Sequence, residues 1–220
     1  MANIFPKSAN FLPIKIGLGL SVIGLLVVAG VWYYFTPKYT RVGYQPTQPV
    51  AYSHALHVGQ LGMDCRYCHS FVDQAAHANI PNSQTCNNCH KEGGVQWDNP
   101  KLAVLRQSVE KNIPIQWKQI HLVPDYVYFN HSAHVNRGVS CVSCHGQINE
   151  MEVVWQDKPL SMGWCLECHR APQNNLRPLA KVYDLNWTAA SEGKNQLEVG
   201  KQLVAEWNVR PPTNCAGCHR

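Results

Sequence analysis

Phe129-Asn-His-Ser-Ala-His-Val-Asn-Arg-Gly-Val-Ser-Cys-Val-Ser-Cys-His145 carries two histidines, His131 and His134, and then a C-x-x-C-H unit. Two thiols at that spacing can form thioether bonds to the two vinyl groups of one haem, and the histidine that follows reaches the iron from the same side. Half of a c-type haem site is thus written locally. The other axial position needs a donor from elsewhere, and His131 and His134, seven to ten residues ahead of Cys141, are the first candidates.

Working outward, the motif recurs as Cys65-Arg-Tyr-Cys-His69, Cys86-Asn-Asn-Cys-His90, Cys165-Leu-Glu-Cys-His169 and Cys215-Ala-Gly-Cys-His219, so that with Cys141, Cys144 and His145 all ten cysteines are used. A single C-x-x-C can be half a zinc site or a redox dithiol. Neither reading explains why His follows the second cysteine every time. The expectation is five covalently bound haem c groups, attached through Cys65/Cys68, Cys86/Cys89, Cys141/Cys144, Cys165/Cys168 and Cys215/Cys218, with His69, His90, His145, His169 and His219 as proximal ligands.

About 180 residues past the apolar N-terminus must then enclose five large macrocycles, which leaves little polypeptide for a core of its own. The predicted fold is a multihaem cytochrome c: mostly loops and short α-helices packed around the haems, with one N-terminal transmembrane helix and almost no sheet. The 14 prolines and 15 glycines punctuate such a path. The formal charge of +5 would ordinarily suggest nucleic acid, but about ten haem propionates against roughly one positive charge per ferric centre bring the oxidised holoprotein near neutrality. No basic run with interleaved aromatics occurs, so nucleic acid is not an expected partner. Lys91, Arg170 and Arg220, each directly after a motif histidine, are candidate propionate partners.

Residues 1–13 read as a short cytoplasmic N-terminus and 14–36 as a membrane anchor. Ile16 to Phe35 is uncharged, and about 20 apolar residues at 1.5 Å each span a bilayer core. Trp32, Tyr33 and Tyr34 suit the headgroup region. A cleaved signal peptide would have a shorter apolar region and an A-x-A-like site, so the segment is expected to be retained. Lys7 and Lys15 against Lys38 and Arg41 leave orientation open. Haem attachment to C-x-x-C-H on the outer side of the bacterial cytoplasmic membrane puts the haem domain there, with a single pass and the N-terminus in the cytoplasm. Gly17, Ser21 and Gly24 form a small-residue stripe suited to helix packing, although glycine is common in such helices.

Residues 37–51, with Pro37, Gly43, Pro46 and Pro49, read as an extended linker to a haem domain over 52–220. Within it, Tyr52-Ser-His-Ala-Leu-His-Val58 matches Phe129-Asn-His-Ser-Ala-His-Val135 almost position for position. The first His precedes its C-x-x-C-H by 11 residues in one case and 10 in the other, and a second motif follows 21 or 24 residues on. Two duplicated dihaem modules, about 52–91 and 129–170, are therefore expected, with a fifth haem at 215–219. Between them, residues 99–111 predict a helix with Asn99 as cap, Pro100 at its first position and an end near Pro114. Leu197 to Trp207 predicts another, stopped by Pro211 and Pro212.

Five irons need distal ligands, and six histidines lie outside the motifs: His54, His57, His77, His121, His131 and His134. The two imidazoles of an H-x-x-H turn leave one side of the backbone at different angles and can serve different haems. The arrangement resembles the small tetrahaem cytochromes c. That resemblance implies that His54 and His131 close the haems on Cys65/Cys68 and Cys141/Cys144, while His57 and His134 cross to others. The remaining distal ligand is His77 or His121, or else a thioether, with Met162 the candidate ahead of Met151 and Met63. A methionine ligand would raise that haem's potential.

Ala76-His-Ala-Asn-Ile-Pro81, His121-Leu-Val-Pro-Asp-Tyr-Val-Tyr-Phe-Asn-His131, Ser161-Met-Gly-Trp-Cys165 and Asn208-Val-Arg-Pro-Pro-Thr-Asn-Cys215, with the anchor and the motif spacing, resemble the pentahaem subunit of bacterial alternative complex III. That resemblance implies a relay inside a respiratory or photosynthetic membrane complex that oxidises quinol. The relay would take electrons from an iron-sulfur subunit and pass them to a monohaem cytochrome, and from there to a cytochrome, a small iron-sulfur protein or a terminal oxidase. Every cysteine here is committed to haem, so quinol chemistry would belong to partners and the chain would not be catalytic alone. None of the motifs has an altered proximal residue, which disfavours a multihaem enzyme with an open iron. The rivals are an anchored quinol dehydrogenase that oxidises quinol at its own haem, and an independent anchored electron shuttle.

Overall fold

The computed structural model describes residues 6–35 and 41–219. Residues 1–5, Pro37 and Lys38 at the head of the expected linker, and Arg220 lie outside them. The chain divides into two units, Met1–Val42 and Gly43–Arg220.

The first unit is built on one α-helix, Leu12–Phe35, preceded by a 3₁₀ turn over Lys7–Phe11. Pro13 fits its first turn, where no backbone N–H partner is needed. None of the helix's residues is buried in protein, yet its side chains are almost wholly apolar, which in water would be costly. The only hydroxyl among Gly17, Ser21 and Gly24 is satisfied internally, Ser21 Oγ donating to the Gly17 carbonyl at 2.9 Å, as hydrocarbon surroundings demand. This is one apolar helix able to cross a bilayer, a candidate membrane anchor.

The second unit is an arrangement of short helices and long loops. Among the described residues no strand forms, and the only sheet-like pairings are the isolated bridges Val127 with His219 and Val139 with Leu176. Its helical pieces are Ala55–Gln60 (π-type), Cys65–Cys68, Ser83–Asn87, Ala103–Lys111, His131–Val135, Val142–His145, Met162–Arg170, Gln196–Glu206 and Cys215–Cys218. Most are a turn or two long, too short to be stable alone. Side-chain caps start several of them: Asp64, Asn82, Asn130, Ser161 and Asn214 each accept a backbone N–H of the first turn. Four of these caps stand just ahead of a haem motif and fix where its turn begins.

The helix expected over 99–111 forms as a 3₁₀ turn, Pro100–Leu102, running into Ala103–Lys111, with Asn99 accepting from the Lys101 N–H. It stops at Asn112, in the left-handed conformation at φ 52°, before Pro114 can act. The second expected helix spans Gln196–Glu206. Asn208 at φ 48° follows its end, so the chain has already turned when it reaches Pro211 and Pro212, and the prolines are not what stops it.

The linker expected over 37–51 is shorter than the sequence suggested. From Gly43 the chain lies on the haem unit: Gly43 N–H donates to the Gln156 carbonyl at 2.8 Å, Gln156 N–H returns to Tyr44 at 3.1 Å, and Gln48 exchanges two bonds of 2.9 Å with Lys118. Val50 is buried. Proline-rich composition signalled an extended path, and extended chain pairs with a neighbour as readily as it spans solvent.

Buried apolar side chains are few. Val72, Val135 and Val182 form one cluster, with Ala78 and Tyr183 packed on it. Val72 follows the first haem motif and Val135 belongs to the second H-x-x-H, so the cluster sits between the two modules.

Candidate haem sites

Four of the five C-x-x-C pairs lie on or at the head of a helical turn, which brings residues three apart to one face. All ten cysteines are free thiols, available for attachment. Among the described residues no group of three or more His, Cys, Asp or Glu side chains converges as a site for a bare metal ion, which a zinc site would require.

The attachment cysteines differ in exposure. Cys89 is exposed, and so is Cys215, whereas the other eight cysteines are partly buried. The reason at Cys89 is local. Its helix, Ser83–Asn87, ends two residues ahead of it, and Cys89 continues the chain as a turn, its N–H donating to the Cys86 carbonyl at 3.2 Å. That turn keeps Cys89 near Cys86 but carries it to the rim of the unit. At Cys215 the motif helix itself begins at the cysteine, behind the exposed cap Asn214. The two thiols at the surface belong to the second and fifth motifs, so these sites form the edges of the unit and not part of an evenly enclosed core.

The histidines are oriented by their Nδ1 atoms. His57 Nδ1 bonds the Ser53 carbonyl at 2.8 Å, His69 the Asn79 carbonyl at 2.6 Å, His90 that of Val95 at 2.7 Å, His131 that of Ala76 at 2.8 Å, His134 that of Asn130 at 2.7 Å and His169 that of Pro212 at 2.7 Å. His219 makes a longer contact, 3.3 Å, with Tyr126. A carbonyl can only accept, so Nδ1 carries the proton and Nε2 keeps a free lone pair, as metal-ligating imidazoles are held. Burial lowers the pKa of His131 and His134. It pushes His54 down to about 4 and His145, which also faces the imidazoles of His121, His131, His69 and His54, down to about 3. These rings stay neutral, the form that binds iron.

Pair distances test the fit to haem. Two imidazoles on opposite sides of one metal, each at a metal–nitrogen distance of about 2 Å, have ring centres roughly 6.3 Å apart. His57 and His90 are 6.2 Å apart, His134 and His169 6.1 Å, and His131 and His145 6.4 Å. His121 packs edge-on against His145 at 4.3 Å and 84°, too close for that pair to flank an iron. Each spaced pair has C-x-x-C thiols directly ahead of its second histidine. The donor set fits c-type haem, which supplies an iron that cycles between ferric and ferrous states.

Aromatic rings brace the outer histidines. Tyr52 stands edge-on to His54 and stacks on His57 at 4.4 Å, and Phe129 does the same to His131 and to His134 at 4.6 Å. The motifs also touch in series. Asn88, inside the second motif, donates to the hydroxyl of Tyr67, inside the first, at 3.0 Å. His131 reaches the loop behind the first motif, His134 reaches His169, and His169 holds the carbonyl of Pro212 just ahead of the fifth.

The remaining expected donors fall elsewhere. His77 is exposed, and its charge would bear on His131. Met162 is exposed on the first turn of Met162–Arg170, whereas Met151 is fully buried, a packing residue. Lys91 and Arg170 are exposed. A cation the sequence did not single out is better enclosed: Arg177 is half-buried, its Nη1 donates to the Asp184 carbonyl at 2.9 Å, and its guanidinium lies 5.2 Å from the Trp187 ring. Burial pulls its pKa down, Asp184 opposes this, and a guanidinium remains charged either way. Its Nε is buried without a hydrogen-bond partner among the described residues, a place for a haem carboxylate. No neighbouring motif flags it in sequence. Carbonyl acceptors such as Ala76 and Asn79 were equally hidden, since any residue type supplies one.

A helix-poor unit whose repeated C-x-x-C-H turns face spaced histidine pairs is a multihaem c-type cytochrome, an electron-transfer protein. The chain belongs to the family of cytochrome c7 and related cytochrome c, whose model matches residues 50–107 and 127–220. It is also similar to the multihaem cytochrome c subunit of menaquinone reductase from Nitratidesulfovibrio vulgaris, strain Hildenborough, 33% identical over 134 residues. That match covers 60% of this chain and 60% of the relative's length.

Proposed function

We propose that the chain is a five-haem relay in a quinone-linked membrane complex, with haems on Cys65/Cys68, Cys86/Cys89, Cys141/Cys144, Cys165/Cys168 and Cys215/Cys218. The observation that carries this is the trio of histidine pairs spaced at 6.1–6.4 Å. They support His57 with His90, His131 with His145 and His134 with His169 as axial pairs, and His54, on which burial and then the His69 imidazole act most strongly, as the distal ligand of the first haem. The iron of His219 takes its second ligand from His77, His121 or Met162. The contacts between motifs support the serial order second, first, third, fourth, fifth, and short steps through closed, bis-His irons favour relay over substrate chemistry. The exposed thiols Cys89 and Cys215 belong to the two terminal haems of that order, where electrons would enter and leave.

In this reading Leu12–Phe35 anchors the chain by a single pass in a bacterial cytoplasmic membrane, with residues 1–13 cytoplasmic and 52–220 outside. The partners are those of alternative complex III: an iron-sulfur subunit on the quinol side and a monohaem cytochrome on the other, leading to a cytochrome, a small iron-sulfur protein or a terminal oxidase. The relative's name favours a second reading, in which the same wire runs toward the quinone and feeds menaquinone reduction by a partner.

Purified alone and given a menaquinol analogue, the five-haem chain should stay oxidised for as long as the mixture without it, and be reduced at once when a low-potential mediator is added. Rapid, inhibitor-sensitive reduction by the quinol would instead make it a quinol dehydrogenase in its own right. Recovery from mild detergent as a lone chain would make it a shuttle.

A further inference from the structure

We propose that the two dihaem modules are related by a pseudo-twofold axis, and that the loop behind each module's first haem motif positions the H-x-x-H turn of the other module. The inference rests on the five-haem reading above and names the residues that tune its central pair.

Residues of the first H-x-x-H segment correspond to those of the second with 77 added, and residues of the first motif and its loop correspond with 76 added. Under that correspondence the contacts between modules come in matched sets. Ala55 N–H donates to the Met151 carbonyl at 3.1 Å, and Ser132 N–H, its counterpart, donates to the Ala75 carbonyl at 3.2 Å. Met151 and Ala75 are also counterparts, each six residues past its motif histidine. Asn136 Nδ2 donates to the Asp73 carbonyl at 2.8 Å. Its counterpart Gly59 lies so close to the carbonyl of Asn149, the counterpart of Asp73, that any side chain at Gly59 would overlap it. The same donor turn thus meets the same acceptor loop twice, once in each direction.

A twofold axis also requires some residue to meet its own counterpart. Cys65 and Cys141, the first cysteines of the two motifs, lie close enough for each thiol to act on the other. A contact of this kind is the mark of an isologous interface, here between two halves of one chain. It places the first and third haem sites beside the axis, with the second and fourth outside them and the fifth breaking the symmetry at one end.

The consequence for tuning is concrete on the 70–79 loop. Its Ala76 carbonyl holds Nδ1 of His131, in the second module, and its Asn79 carbonyl holds Nδ1 of His69, in the first. A single loop therefore sets the tautomer, orientation and basicity of one axial histidine at each of the two central haems. Asn79 fixes the loop. It sits in the left-handed region at φ 58°, which asparagine tolerates better than most residues. Its Oδ1 accepts from the Phe71 N–H at 3.1 Å, and its Nδ2 donates to the Cys68 carbonyl at 3.3 Å. Asn79 is a positioning residue for two irons in different modules.

The test is Asn79→Gly in the full-length holoprotein, followed by potentiometric titration with low-spin EPR resolving the individual haems. Glycine keeps the backbone conformation and deletes the side-chain anchor. Expected is a shift of the haems on Cys65/Cys68 and Cys141/Cys144 together, by up to about tenfold in the oxidised-to-reduced ratio at fixed potential, about 59 mV for one electron. The other haems should hold their values, and Asn79→Asp, which retains the acceptor for Phe71, should restore part of the shift. A shift confined to Cys65/Cys68 would overturn the cross-module positioning. Asn136→Ala provides a second handle that touches no haem motif: it should move the Cys141/Cys144 haem and leave Cys65/Cys68 alone, and no movement there also overturns the proposal. If the wild-type chain contained fewer than five haems by pyridine haemochrome, the five-haem reading itself would fail, independently of either variant.

Discussion

The two copies of the H-x-x-H unit agree where they touch themselves and differ where they touch the rest of the molecule. Tyr52 meets His54 at 4.8 Å and 86° and His57 at 4.4 Å and 24°; Phe129 meets His131 at 4.7 Å and 87° and His134 at 4.6 Å and 28°. The second histidine of each returns Nδ1 to the carbonyl just before the first, Ser53 or Asn130. The first histidines diverge. His131 Nδ1 is held by Ala76 from the opposite module, whereas His54 Nδ1 is buried with no hydrogen-bond partner among the described residues. The proximal histidines show the reverse: His69 Nδ1 is bonded to Asn79, and His145 Nδ1 is the buried, unbonded one. Each central pair thus has one braced and one unbraced imidazole, with the roles exchanged. The local clamp is the same in both copies, and the layer behind it, which orients the imidazoles, differs.

The largest test of that difference compares the two proximal positions. His145 is packed beside His121 and His131 and is pushed down to about 3 by burial and its imidazole neighbours. His69 is also half-buried, and its Nδ1 is held by one bond, to the Asn79 carbonyl. His145→Ala should leave an apolar void and an uncoordinated haem in the centre of the unit, and reduce holoprotein yield by roughly tenfold or more through proteolysis of unfolded chain. His69→Ala should yield protein with one high-spin haem. Haem-staining yield and high-spin EPR amplitude read the two directly. Equal yields would mean that the modules are enclosed alike.

A smaller effect tests the crossing of ligands. With His134 facing His169 at 6.1 Å and His131 facing His145 at 6.4 Å, His134→Ala should convert the haem on Cys165/Cys168 to high spin and leave that on Cys141/Cys144 low spin. His57→Ala should act likewise on Cys86/Cys89, by its 6.2 Å pairing with His90. One haem of five changing spin state, at nearly unchanged yield, is the predicted magnitude. High-spin signal at the local haem in either variant would separate the modules instead of matching them.

Much of this was legible in the sequence alone. The C-x-x-C-H motifs and the cap Asn99 are local, so residue type and spacing specify them, and the caps Asp64, Asn82, Ser161 and Asn214, which the sequence reading did not single out, follow the same local rule. The scarcity of sheet followed from too little chain for too much cofactor. The duplication was visible as well, in the match of 52–58 to 129–135. What sequence could not reveal are the backbone acceptors, because Ala76, Asn79 and Met151 act through carbonyls that every residue has. Arg177 was hidden for a different reason: its enclosure by Asp184 and Trp187 depends on the fold of 177–187. Cys89 shows the limit of the motif itself, which specifies the spacing of two thiols and not which of them the fold covers. Pro46 and Pro49 mark extended chain without saying what it lies against.

The smallest effect concerns the residue that precedes each module's first cysteine. In the first module this is Asp64, capping Cys65–Cys68 and paired with Arg66 at 2.8 Å. In the second it is Ser140, buried, with Oγ donating to the Val182 carbonyl at 2.6 Å. The hydrogen bonds from Arg66 hold the Asp64 carboxyl below its usual 3.8. A carboxyl depressed in the folded state adds stability that is fully present above its unfolded pKa and disappears as pH falls through the folded one. The acid-sensitive window for Asp64 therefore lies below about pH 4, whereas Ser140 has no charge to lose. Both members of the Asp64–Arg66 pair are about half exposed, at 45% and 52%, so solvent screening keeps the contribution below about 1 kcal/mol. Asp64→Asn should lower the melting temperature by at most about 4 °C at pH 7, and the gap to wild type should narrow progressively as pH falls below about 4. Asparagine still caps a helix, so what the comparison isolates is the charge. A gap that kept its full size as pH fell below about 4 would assign the stabilisation to cap geometry and not to the charge.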